Sequence, residues 1–236
     1  MVIADNCDDE TAAIAHQEGA LVLERIDPVN RGKGPALDWA LRQHQAQLGS
    51  FDMIALVDAD MHIHAAFLKE LASTLSAPEV EVAQGLNTVA RPEQNWRTAL
   101  GFVGFSVINY LRPAGRCWLG GTGELRGSGM GFKSALLLRH GWPAHSLAED
   151  VEFSKMLYLD GVAVVFQPRA LVTSEIPTHS RQVKVQQQRW ELGKLDLLKR
   201  YLPVFTLHFL RKPSAARLDA VLDLLVPPQR VLVLFY

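Results

Sequence analysis

Asp58-Ala59-Asp60 follows directly on the apolar run Met53-Ile54-Ala55-Leu56-Val57. Two carboxylates one residue apart on extended backbone point to the same side of the chain. Such an oxygen-rich pair suits Mg²⁺ or Mn²⁺, which keep several waters and bridge to substrate phosphates; solvated turn aspartates are the plainer alternative. Asp5, in Asp5-Asn6-Cys7-Asp8-Asp9, closes the run Val2-Ile3-Ala4, and an acid there can accept hydrogen bonds from a nucleobase or ribose. Asp8 or Asp9 is expected to cap the helix that follows.

Further groups lie elsewhere in the chain. Arg31-Gly32-Lys33-Gly34 is a short basic turn before a helix, where backbone N–H groups and the Lys33 cation could meet a phosphate, or simply be solvated. It does not fit the P-loop pattern, and Gly127-Ser128-Gly129-Met130-Gly131 does not fit the dinucleotide fingerprint. Glu149-Asp150 opens a helix, where the dipole stabilises carboxylates; a carboxylate so placed can also serve as a general base toward a nearby hydroxyl. In Gln186-Gln187-Gln188-Arg189-Trp190 the residues Gln186, Arg189 and Trp190 share one helical face. Arg can clamp a diphosphate and Trp can stack on a sugar or base, although a polar helix with an incidental Trp explains the string as well.

The elements that must position these groups follow an α/β rhythm. Strands are expected over 2–4, 20–25 and 51–57, with helices over 10–19 and 34–48 between them. A helix over 65–75, a strand over 80–85, a buried helix over 96–111, a helix over 147–160, a strand over 162–166 and a long helix over 178–201 complete the pattern. The dense glycines between Gly115 and Gly131 imply a backbone that turns sharply or approaches something closely. This alternation predicts a mainly parallel sheet covered by helices, with functional residues at the carboxyl ends of strands.

Composition narrows the function classes. The chain has 236 residues, is 48% hydrophobic, and balances 24 Lys and Arg against 25 Asp and Glu. It therefore buries a core, is not disordered, and has no bulk electrostatic affinity for nucleic acid. Cys7 and Cys117 are too few for a disulfide framework. Between Arg181 and Arg217 the residues Lys184, Arg189, Lys194, Lys199, Arg200, Arg211 and Lys212 outnumber Glu191 and Asp196. This excess suits an anionic cytoplasmic membrane face, or a solvated basic helix. Leu218 to Val226 and the run Val231–Tyr236 read as the approach to a membrane helix, short of the ~20 apolar residues of a complete span.

In chain order, Asp5, Asp58-Ala59-Asp60, Glu149-Asp150 and Gln186-x-x-Arg189-Trp190 resemble the family 2 inverting glycosyltransferases, especially the processive cellulose, chitin and hyaluronan synthases. The resemblance covers about residues 1–200. It implies a GT-A-like fold with a mixed, mainly parallel sheet and helices on both faces, whose first strand would precede Met1. It also implies a glycosyltransferase domain over 1–200 followed by an interfacial segment and the start of a membrane helix over 201–236. The implied reaction is metal-dependent transfer of a sugar, with inversion, from a nucleotide donor (UDP above all) to a glycan or lipid acceptor. Asp150 would be the base. Asp5, Lys33 and Asp58 would bind the donor, and Asp60 would hold Mg²⁺ or Mn²⁺. Glu149, Gln186, Arg189 and Trp190 would line the acceptor and diphosphate side. The implied location is the membrane, with the catalytic domain cytoplasmic, and a chain lacking the earlier strand is expected to be poorly active. Two other readings use the same carboxylates: a sugar-phosphate nucleotidyltransferase, and a non-catalytic nucleotide-binding fragment.

Overall fold

The computed structural model describes residues 1–175 and 180–226, with the side chains of all but residue 97 and residues 180–190. The chain divides into two compact units, Met1–Ile54 with Lys133–His145, and Ala55–Phe132 with the chain from Ser146 on.

In the first unit β1 (Val2–Asp5) and β2 (Val22–Arg25) pair in parallel, with Asp5 opposite Arg25. Parallel neighbours need a crossover, which α1 (Thr11–Gln17) supplies. The capping position of α1 is Glu10, without a side-chain capping bond, and not Asp8 or Asp9 as expected; from one residue further out the Asp9 carboxylate accepts the Thr11 backbone N–H at 3.0 Å. The helix expected over 34–48 is broken at His44 into α2 (Lys33–Gln43) and α3 (Gln45–Leu48). Ala36, Leu37, Ala40 and Leu41 form the buried stripe of α2. Gly34 is required there by packing, because an added Cβ would lie 2.6 Å from the carbonyl oxygen of Ala144. Strand β3 (Met53–Leu56) carries the chain into the second unit.

In the second unit β4 (His62–Ile63) leads into α4 (Phe67–Leu75), which buries Phe67, Leu71 and Leu75. Strand β5 (Val82–Val89) is longer than expected, and its central position accounts for its nearly continuous burial. A continuous helical stretch follows: α5 (Trp96–Ser106), a π turn (Val107–Leu111) and α6 (Arg112–Trp118). Pro113 has no N–H for the carbonyl of Asn109, which accounts for a wider turn at this point. The helix expected to be buried over 96–111 is instead largely exposed along one face: Leu100, Val103, Val107 and Leu111 all face solvent. Apolar composition signals a face that wants burial, and among the described residues no layer covers it.

Strand β6 (Met130–Lys133) and α7 (Ser134–His140) return the chain to the first unit, where the Ser134 N–H donates to the carbonyl of Asp52 at 3.0 Å. The second unit resumes with α8 (Glu149–Leu159), β7 (Val164–Ser174), α9 (Ser180–Arg211) and α10 (Ala215–Leu225). Sheet order is β3-β6-β5-β7-β4. The long β5–β7 ladder is parallel, and the β5–β6 and β4–β7 ladders are antiparallel, so the sheet is mixed as expected. Thr178 of the expected 178–201 helix and the run Val231–Tyr236 lie outside the described residues. Among the described residues no helix is long and apolar enough to cross a membrane.

Candidate active site

Strand β3 stops at Leu56, and Asp58 to Met61 form a turn in which the Met61 N–H donates to the Asp58 carbonyl at 3.1 Å. Asp58 is half-buried and Asp60 is exposed. The two acids therefore stand on a turn, which corrects the expectation of extended backbone. The strand ends one residue earlier than its apolar pattern suggested.

Helix α8 begins at Glu149, with Glu149, Asp150 and Glu152 in its first turn, where the helix dipole favours anions. Gly127 bridges this turn and the one after β3. At φ +79° it occupies the left-handed region, and a Cβ added to it would lie 3.3 Å from Asp150 Oδ2 and 4.0 Å from Asp58 Oδ2. Carboxylates 92 positions apart in the sequence thus meet around one point beside a glycine backbone.

The loop carrying Gly127 is held by groups that were not singled out in the sequence. Gln84 Nε2 donates to the Ser128 carbonyl at 2.8 Å, and Gln84 Oε1 accepts the Arg126 N–H at 2.8 Å. Ser128 Oγ accepts the Asp58 N–H at 3.0 Å. Ser154 Oγ accepts the Leu125 N–H at 2.7 Å and donates to the Asp150 carbonyl at 3.0 Å, joining the loop to the first turns of α8. Gln84 and Ser128 are buried, and each satisfies backbone groups that no strand ladder reaches. The glycine density over 115–131 was the available signal for this loop. Nothing local marks Gln84.

Replacing Gly127 by Ala is expected to cost about 1–2 kcal/mol for left-handed backbone. It is also expected to lower turnover about tenfold or more, because the new methyl group presses on the Asp150 carboxylate. Thermal melts and steady-state kinetics of the variant check both effects.

In the first unit Asp5 stands at the carboxyl end of β1, as expected, but it is already engaged. Its Oδ1 accepts from Arg25 Nη1 at 2.5 Å and from Asn6 Nδ2 at 3.0 Å. Arg25 also donates to Asp27 Oδ2 at 2.8 Å and to the Asn30 carbonyl at 2.9 Å. Asn6, at φ 54°, accepts the Asp27 N–H through its side chain at 2.8 Å. Hydrogen bonds from Asn30 above all, then from Val29 and the charge of Arg25, hold the Asp27 carboxyl below its ordinary range despite slight desolvation. Applying the strand-end rule to β2 would have found Arg25. Lys33 is the first residue of α2 and is half-buried.

Gln186, Arg189 and Trp190 fall within α9, and their side chains lie outside the described residues. Three residues after Trp190, Gly193 lets α9 approach the start of α8: an added Cβ would be 3.0 Å from Ala148 Cβ and 3.2 Å from its backbone nitrogen. Beyond this contact lies a buried ionic network. Lys155 Nζ donates to Glu124 Oε1 at 2.7 Å and to Asp223 Oδ2 at 2.6 Å. Arg116 reaches Asp223 at 2.7 Å and Asp219 at 2.8 Å, Arg112 pairs with Asp223, and Arg126 reaches Glu124 at 2.8 Å. Burial first, then the nearby Arg112 charge, depresses the Lys194 ammonium to about 8.

Among the described residues no three His, Cys, Asp or Glu side chains gather into a metal cage. The exposed Asp60 carboxylate still fits Mg²⁺ or Mn²⁺, since these hard ions commonly take one or two carboxylates and complete their shell with water and substrate phosphate.

The mixed sheet with its helices is the fold of the GT-A glycosyltransferases. The chain aligns with a mannosyltransferase from Pyrobaculum calidifontis solved with GDP-mannose and Mn²⁺, at TM-score 0.59 and 18% identity, covering 94% of this chain and 59% of that one. It also aligns with glucosyl-3-phosphoglycerate synthase from Mycobacterium tuberculosis, solved with Mn²⁺, UDP-glucose and phosphoglyceric acid, at TM-score 0.50 and 18% identity, covering 83% and 66%. Residues 53–235 match the family model for glycosyl transferase family group 2, and the chain belongs to that family. Asp5 and Lys33 precede the matched segment. A curated relative, beta-monoglucosyldiacylglycerol synthase of Trichormus variabilis, is 28% identical over 200 residues, covering 81% of this chain. The chain spans 41% of that relative's length.

Proposed function

We propose that this chain is the sugar-transferring part of a metal-dependent, inverting glycosyltransferase that moves a hexose from a UDP donor to the hydroxyl of a membrane glyceride. The convergence of Asp58 and Asp150 on Gly127 carries the reading. It supports a donor held by the acids after β3, with the acceptor hydroxyl approaching a base at the start of α8. Asp150 takes the proton of that hydroxyl as its oxygen attacks the anomeric carbon, and the bond to the diphosphate breaks on the opposite face. One displacement inverts the anomeric centre without a covalent intermediate.

Asp58 orients the sugar and nucleotide, and Asp60 holds the divalent ion. When bound, the metal supplies positive charge against the departing diphosphate. Arg189 is assigned to the same diphosphate, Gln186, Trp190 and Glu149 to the acceptor side, and Asp5 and Lys33 to the nucleoside end of the donor. Residues 1–200 are assigned to transfer and residues 201–236 to the membrane surface, on the cytoplasmic side. The glyceride acceptor is favoured over a glycan by the name of the curated relative.

The test is transfer from UDP-glucose to diacylglycerol in mixed micelles, with the anomeric configuration of the product read by NMR. Removing divalent ions with EDTA is expected to reduce transfer to background, and Mn²⁺ to restore it. Asp60→Asn is expected to weaken Mn²⁺ binding in calorimetry by about tenfold or more. A product that retains the donor's anomeric configuration, or transfer indifferent to EDTA, overturns the reading.

A further inference from the structure

The helical stretch from Trp96 to Trp118 carries Leu100, Val103, Val107, Leu111 and Trp118 at spacings of three, four, four and seven residues. These spacings lay them along one stripe. Leu100 is 60% exposed, Val103 57%, Leu111 63% and Trp118 84%. A stripe this long, left open, marks an interaction surface.

Charge identifies the occupant. No Asp or Glu occurs from Trp96 to Leu119. Arg112 and Arg116 of this stretch turn to Asp223 and Asp219 of α10. These pairs engage both acids of α10, whose exposed large residues are Leu218, Leu222 and Leu225, again at helical spacing. At the turn between α9 and α10, Arg211 and Lys212 are exposed. Two helices joined by ion pairs within one unit thus present apolar faces, with both acids of α10 engaged by arginines and a basic turn leading into α10. Exposed Tyr110 and Trp118 add the aromatic side chains that favour the headgroup level of a bilayer. A second helix, as in a coiled coil, is disfavoured because the residues beside the stripe (Ala99, Gly101, Gly104, Ser106) lack the charges that steer helix pairing.

We propose that the Trp96–Leu119 helix seats this unit in the interfacial layer of an anionic lipid bilayer, its stripe toward the acyl chains. The choice of a bilayer as occupant rests in part on the glyceride-acceptor reading. Seating and transfer fail separately.

The full chain is floated with phosphatidylglycerol–phosphatidylcholine vesicles and with phosphatidylcholine vesicles alone. The parent is expected to float, more strongly with the anionic lipid. The combined variant Leu100→Gln, Val103→Gln and Leu111→Gln is expected to lose about tenfold or more of that partition. Its melting temperature should stay put, because the positions are exposed. UDP release with a short-chain, water-dispersed diacylglycerol should equal the parent's. If the parent shows no transfer at all and the variant still loses flotation, the seating stands and the acceptor reading falls. A parent that does not float overturns the seating, as does a variant that floats like the parent. So does a variant whose only change in light scattering is from dimer to monomer, which would assign the stripe to a second copy of the chain.

Discussion

Asp150→Asn is expected to leave the chain folded and to reduce sugar transfer by about 10²–10⁴-fold, the usual contribution of a general base. The amide keeps the shape of the carboxylate beside Gly127 but cannot accept the acceptor's proton. Folding should change little, because the Asp150 carbonyl still accepts from Ser154 and α8 keeps Glu149 and Glu152 at its positive end. Donor affinity, measured by titration of UDP-glucose with Mn²⁺ present, should shift far less than kcat. Glu149→Gln is the informative control, since the neighbouring acid projects about 100° further round the helix. Undiminished transfer in Asp150→Asn, or loss confined to Glu149→Gln, would move the base assignment.

Asp223→Ala is expected to destabilise the chain by about 3–5 kcal/mol, read as a lower midpoint in urea denaturation. Asp223 is buried and receives Lys155, Arg116 and Arg112, so its removal leaves cations in a poorly solvated interior. Burial alone would raise the Glu124 and Asp223 carboxyls. Lys155 opposes this for both, with Arg126 for Glu124 and Arg116 and Arg112 for Asp223, and both end below their ordinary ranges. A carboxyl depressed on folding stabilises at pH values above its unfolded pKa, near 4, and that contribution fades as pH falls through the lower folded value. Lys155 is raised despite burial, by Glu124 and then Asp223, so its contribution persists below the ordinary lysine range and fades only as pH climbs beyond it. The melting temperature should therefore hold from neutrality to about pH 5 and drop in stronger acid. Asp223→Asn should flatten that drop, and a drop equally steep in the variant would show that the network does not govern acid stability.

The acid groups of the site were legible because each sits where local chemistry announces it: Asp58 after an apolar strand, Asp150 at a polar-to-helical boundary. The loop between them was only partly legible. Its glycines signalled a close approach, and the structure places Gly127 against two carboxylates. Gln84 reads as a polar residue in a strand until the Ser128 and Arg126 backbone groups are seen to need it. Lys155, Glu124 and Asp223 are far apart in the chain and ordinary one by one, so no spacing rule finds them. The 96–111 segment misled for a related reason: periodicity reports which side of a helix is apolar, not whether anything covers it.

By itself the sequence determined the local alphabet of this protein. That comprises the alternation of strand and helix, the acids at the ends of β1 and β3, the acids opening α8, and the order of motifs that marks the glycosyltransferase family. Those properties depend on neighbours within one or two turns of chain, where backbone sterics, capping and apolar periodicity act. The tertiary structure alone decided that Asp58 and Asp150 share a glycine, that Asp5 is bound to Arg25, and that α5 lies open. Each is a contact, or a missing contact, between segments tens of residues apart, set by how the whole chain minimises exposed apolar surface and unpaired buried charge.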